Sequence, residues 1–93
     1  MILLPADLTH DRAAAFSGTI AGQVAAQAGP VVADAGSMTA FDSSALAVLL
    51  ECRRQAVAAG RGFVVQNLPP KLRQLAGLYG VEELLPAAEA TSG

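Results

Sequence analysis

The chain has little with which to perform covalent or metal chemistry. Its 93 residues include no tryptophan, one cysteine (Cys52) and one histidine (His10). One histidine excludes a histidine-based triad and a multi-histidine metal centre. One cysteine excludes an internal disulfide and offers no metal-ligand spacing, which points to a reducing compartment. Only four residues are aromatic, Phe16, Phe41, Phe63 and Tyr79. The six basic residues are scattered, apart from Arg53-Arg54 and the group Arg61, Lys71 and Arg73. Nucleic-acid binding calls for a basic stripe with aromatics to stack on bases, and neither is present. No Gly-x-x-x-x-Gly-Lys loop exists to hold a phosphate. Glu82 and Glu83 are adjacent, so their side chains diverge, and no second carboxylate pairs with either. Without a nucleophile, base and metal set, the expectation is a protein that is not an enzyme and needs no cofactor.

Long hydrophobic runs are also missing. The longest, Ala45 to Leu50, is far short of the ~20 residues that cross a bilayer. Met1-Ile2-Leu3-Leu4-Pro5 lacks the basic start and apolar core of a signal peptide. The chain is expected to be cytoplasmic, without direct membrane insertion. Apolar residues are nonetheless 53% of the total against 15% charged, with a net charge of −2. The surface implied by that balance is less polar than a typical monomer's, consistent with part of it being covered by another protein.

The length suits one domain, assigned to residues 1–86, with 87–93 as a flexible terminal tail. Ile2 to Leu8 reads as one short strand interrupted by Pro5. Thr9-His10-Asp11 is a turn with Asp11 as the N-cap, and Phe16, Ile20 and Val24 mark one face of a helix from Arg12 to Gln27. Within that helix Gly18-x-x-x-Gly22 reads as close packing on a sheet. Val31 to Ala35 is an apolar strand and Gly36 to Phe41 a loop. The next helix opens at Asp42 or Ser43, with Leu46, Leu49, Leu50 and Val57 inward, and closes at Gly60. Phe63 to Gln66 is a strand. A helix from Pro70 to Gly80 presents Leu72, Leu75, Ala76 and Tyr79 on one face. Val81 to Leu85 is one helical turn or a last strand. Alternation of strand and helix implies an α/β architecture with parallel strands.

Asp42-Ser43-Ser44 stands out. An acid and two hydroxyls at a helix start are good capping groups, and on that tripeptide alone a plain cap is a sufficient reading. The same position exposes unpaired N–H groups and the positive end of the helix dipole, so a hydroxyl there is accessible and a phosphate on it would be favoured.

Three blocks extend the pattern: Asp42-Ser43-Ser44-Ala45-Leu46-Ala47-Val48-Leu49-Leu50, Gly60-Arg61-Gly62-Phe63, and Leu68-Pro69-Pro70-Lys71-Leu72-Arg73-Gln74-Leu75-Ala76. In order and spacing they resemble the STAS domain, over about Val31 to Leu85. Leu75-Ala76-Gly77-Leu78-Tyr79 is similar to the branch formed by the MlaB-type subunit of Mla phospholipid ABC transporters, which is related to the anti-sigma-factor antagonists. The resemblance implies a mixed or mostly parallel small sheet packed against three to four helices. It also implies a non-enzymatic partner-binding role, with Asp42, Ser43 and Ser44 as the docking or phosphorylation site and Ala45, Ala47 and Tyr79 as further contacts. The implied partner is the transporter's ATPase subunit, which would hold the chain at the inner membrane and serve outer-membrane lipid asymmetry. The alternative is an anti-sigma factor or serine kinase, with phosphorylation of Ser43 as the switch. Two departures are visible. Ala45 stands where the family usually has glycine, and one strand stands where the family has a hairpin, leaving a sheet edge that a second copy or a partner could cover.

Overall fold

The computed structural model describes residues 1–87. In chain order the elements are β1 (Ile2–Leu3), β2 (Asp7–Leu8), α1 (His10–Ala25), β3 (Val31–Asp34), β4 (Ala40–Phe41), α2 (Ser43–Ala58), β5 (Phe63–Gln66), α3 (Pro70–Leu78) and a 3-10 turn at Glu82–Leu84. β1, β3 and β5 form a parallel sheet in the order β1-β3-β5, and β2 and β4 form a separate parallel pair. This is the small α/β fold with parallel strands and three helices that the resemblance implies.

The amino-terminal segment is two strands in two sheets rather than one interrupted strand. Pro5 is the reason: it has no N–H to donate, so it ends the ladder. Leu4 N–H makes the last bond to the main sheet, donating to Asp34 O at 3.0 Å. One residue beyond Pro5, Ala6 O accepts from Thr39 and Ala40 N–H at 2.8 and 3.0 Å, which starts the β2–β4 pairing. The expected loop at residues 36–41 therefore ends in a strand, and Phe41 delivers the chain directly to Asp42. The terminal segment, left open as helix or strand, forms the 3-10 turn. Ala87, placed in the tail by the sequence reading, pairs with Val65 along the outer edge of β5. The rest of that tail lies outside the described residues. β1 is the other edge strand.

Alternation sorts the strands. Ile2, Leu4, Val31, Ala33, Ala35, Phe63 and Val65 are buried and join the helices in one hydrophobic cluster, while Leu3 on the opposite face is 66% exposed. From α2 the cluster receives Ala45, Leu46, Val48, Leu49, Cys52 and Ala56. Alanine at Ala33, Ala45, Ala56 and Ala76 is fully buried, so backbones approach closely there while leucine and isoleucine supply the area removed from water. Val57, expected inward, is 55% exposed. It lies 11 residues after the buried Leu46, about 20° from it around the helix, so its exposure comes from its place in the last turn of α2, where only Ala56 is buried.

Gly60 and Gly80 end α2 and α3 as the sequence indicates. Both have φ of +72°, and each closes a Schellman pair: Gly60 N–H to Val57 O with Arg61 N–H to Ala56 O, and Gly80 N–H to Gly77 O with Val81 N–H to Ala76 O. Gly18 and Gly22 behave differently from expectation. Both are exposed, and a Cβ at either would meet nothing within 4 Å, so they do not serve close packing on the sheet.

Candidate docking site

Asp42 has extended backbone angles and occupies the N-cap of α2. One carboxylate oxygen accepts the Ser44 N–H at 2.8 Å, and the other accepts the N–H of His10, the first residue of α1, at 3.2 Å. A single side chain thus caps two helices that begin 33 residues apart in sequence, His10 and Ser43. Its pKa is lowered, chiefly by the Ser44 backbone N–H. The Ser44 side chain, the His10 N–H and the charge of His10 add to this against partial desolvation. α1 has a further cap: Asp7 accepts from the Thr9 N–H at 3.0 Å and the Thr9 hydroxyl at 2.7 Å, and its pKa is lowered by those bonds. Helix α1 therefore starts at His10, with Thr9 rather than Asp11 at the N-cap.

Ser43 is the first residue of α2 and is exposed; Ser44 is half-buried. Beside them a groove of about 200 Å³ runs between α1 and α2. Ala13, Ala14, Ala47 and Val48 form its apolar body, and His10, Ser17 and Ser44 form its polar edges. Ala47 is exposed on the groove wall. Ala45 is not available to a partner: it is fully buried, its methyl inside the core, so its part in any contact is limited to supporting the helix.

At their other ends α1 and α2 are joined by Arg61. Its backbone N–H closes α2 on Ala56 O at 2.9 Å, while its guanidinium donates to Val24 O in the last turn of α1 at 2.5 Å and to Gly29 O at 2.7 Å. Val24 O also accepts the Gln27 N–H at 3.2 Å, so the guanidinium adds a charge-assisted bond at the negative end of α1, where a cation is favoured as a carboxylate is at an N-terminus. The two helices are thus clamped at both ends, by Asp42 and by Arg61. From sequence, Arg61 stands out as one of a basic group and as part of the Gly60-Arg61-Gly62-Phe63 block. An arginine one residue past a helix-ending glycine was a readable hint of capping, but its partners 32 and 37 residues away were not.

The loop leading into the site is held by Asp34 and Asn67, also missed from sequence. Asp34 accepts from Gly36 N–H at 2.8 Å and from the Asn67 amide at 3.1 Å, and these bonds lower its pKa. Asn67 adopts φ of 58°, a conformation asparagine tolerates better than most residues. A Cβ on Gly36 would lie 3.0 Å from the Asp34 carboxylate, so glycine fits this turn.

Tyr79 is 58% exposed and its neighbour Leu78 is 81% exposed, an apolar pair at the end of α3. Ser43 opens α2 and Tyr79 closes α3. Cys52 is fully buried, and burial, with the charge of Glu51 adding to it, pushes its thiol up to about 12. Among the described residues no group of three or more His, Cys, Asp or Glu side chains is placed to hold a metal. No helix among them is long and apolar enough to cross a membrane.

No curated protein matches the chain. The protein-family model described as "Mlab, STAS domain" matches residues 1–86, a span that takes in every helix and the whole of the Asp42–Val48 site. The match covers nearly the full length and agrees with the parallel α/β fold, and on it the chain is a member of the MlaB-type STAS domain family.

Proposed function

We propose that this protein is a non-enzymatic accessory subunit that docks on the ATPase of an Mla-type phospholipid ABC transporter, at the cytoplasmic side of the inner membrane. The observation that carries the proposal is the exposure of Ser43 at the tip of a doubly anchored helix, beside an open groove. A site fixed by Asp42 at one end and Arg61 at the other loses little conformational freedom on binding, which favours affinity. Binding would act by population shift: whichever ATPase arrangement the subunit prefers becomes more populated, by the difference in its affinity for the two states. Tyr79 and Leu78 offer a second, peripheral apolar contact.

The test is co-purification with the ATPase subunit. Wild-type chain is expected to co-purify, and Ser43→Lys, which buries a charge in a desolvated contact, to lose at least tenfold in affinity. Undiminished capture of Ser43→Lys removes Ser43 from the interface.

The exposure of Ser43 at a point where the starts of α1 and α2 converge also favours a second reading, a switch on an anti-sigma factor or serine kinase. A phosphate there adds about −1.5 to −2 charge and meets backbone donors. Intact mass after incubation with a cognate kinase and ATP separates the two: phosphate on Ser43 supports the switch, and its absence supports the transporter subunit.

A further inference from the structure

We infer that the face of the main sheet turned away from the helices is a self-association surface, on which a second copy of this chain stacks its own sheet face across a two-fold axis. This surface lies opposite α2 and does not rest on the docking reading.

The topology leaves that face bare. The sheet grows in one direction, from β1 to β3 to β5, through α1 and then α2. Right-handed crossovers taken in one direction put both helices on the same side. The buried residues of α3, Leu72 and Ala76, join the same core cluster, so among the described residues no helix is left for the other side. Purely parallel sheets are almost always covered on both faces, because their strands are apolar on both. Here the bare side keeps that character. The register sets Val32 beside Val64, and Leu3 beside Asp34, which is beside Gln66. Met1 reaches the same side, since its Sδ accepts from the Gln66 amide at 3.7 Å across the width of β3. Met1 and Leu3 are exposed and Val32 and Val64 half-buried, an apolar surface that runs over three strands.

Charge and area select the occupant. Two copies related by a two-fold axis present the same patch to each other, so a charged patch repels itself. Asp34 is the one ionisable side chain among Met1, Leu3, Val32, Asp34, Val64 and Gln66. Its carboxylate is engaged by the Gly36 N–H and the Asn67 amide. An axis along the Val32–Val64 rung stacks these valines on their own copies and sends the two Asp34 side chains to opposite ends. They then stand about 13 Å apart along the strands, beyond the ~8 Å Debye length at physiological salt. Three strands of four residues give a face of about 14 by 13 Å. Two such faces fall well short of the ~1,200 Å² that a stable complex buries, so the pair is a weak one that forms only at high concentration.

Sedimentation equilibrium of the whole chain, from about 10 μM to about 1 mM, tests this, with an average mass expected to rise from that of the monomer toward twice that value. Amide NMR over the same dilution series should move residues 2–4, 31–34 and 63–66 and leave Ser43 and Ala47 in place. Val64→Lys, which sets two cations against each other near the axis, should weaken association at least tenfold. Leu3→Lys, on a side chain already exposed, keeps the fold and should weaken it at least threefold. Leu78→Lys, at the exposed end of α3, should associate as wild type does. A wild-type chain that stays monomeric at about 1 mM overturns the inference and leaves the face to solvent or to a different chain. Undiminished association of both Val64→Lys and Leu3→Lys overturns it, as do dilution shifts confined to the helices.

Discussion

Replacing Arg61 should cost more stability than its half-exposed position suggests. Its guanidinium makes two charge-assisted bonds, to Val24 O in the last turn of α1 and to Gly29 O in the loop beyond it. Bonds to charged groups contribute roughly 1.5–3 kcal/mol each where they are well formed. Two features reduce the sum: water can reach part of this site, and one terminal nitrogen, Nη2, is buried without a partner among the described residues. A net loss of about 2–3 kcal/mol for Arg61→Ala follows. Arg61→Lys keeps the charge but not the fork, and should lose about half as much. With a urea slope of about 1–2 kcal/mol per molar for a chain of this size, the midpoint of Arg61→Ala falls by roughly 1–3 M. Because the backbone N–H to Ala56 survives either substitution, α2 should keep its length, and hydrogen exchange should rise at the end of α1. A midpoint within about 0.3 M of wild type would refute the clamp.

Leu49→Ala removes a fully buried side chain from the centre of α2 and should destabilise by about 2–5 kcal/mol, read by the same urea titration. Gly80→Ala places a Cβ at φ of +72° and should cost about 1 kcal/mol, whereas Gly22→Ala, in a helix with open space around it, should stabilise by up to ~1 kcal/mol. Cys52 should resist thiol reagents in the native state and react only on unfolding, as its burial and a thiol pushed up to about 12 require. Asp7, Asp34, Asp42 and Glu51 are all held below their ordinary values by hydrogen bonds. The unfolded chain therefore binds more protons in the acid range, so their stabilisation is complete above the ordinary carboxylate range and is lost as pH falls through the depressed native values. Melting temperature should accordingly be flat near neutrality and drop on acidification below about pH 4.

What could be read from the sequence was local. Gly60 and Gly80 announce helix ends because the turn they make needs a left-handed residue, and Asp42 announces a helix start because its side chain reaches a donor two residues on. What escaped was non-local. The split of residues 2–8 depends on pairing Asp7 with Ala40, and no periodicity within seven residues encodes that partner. The second bond of Asp42, to His10, and both side-chain bonds of Arg61 span more than 30 residues. Val57 lies on the same side of α2 as the buried Leu46, so periodicity does not separate it from the core; its place in the last turn of the helix does. Gly18 and Gly22 were assigned to sheet packing by motif, and space rather than motif decided their surroundings. Ala45 was carried over from the family pattern, and its burial shows that neighbouring positions in a motif can face opposite ways on a helix.

The docking account is tested most directly by a photo-crosslinking residue placed on the chain in the presence of the ATPase subunit. Position 43 is at one end of the α1–α2 pair and the exposed Ala28 lies beyond the other, about 24 Å away by helix length. The account predicts an adduct with the ATPase from position 43 and none from position 28. An adduct from position 28 with none from position 43 would contradict it.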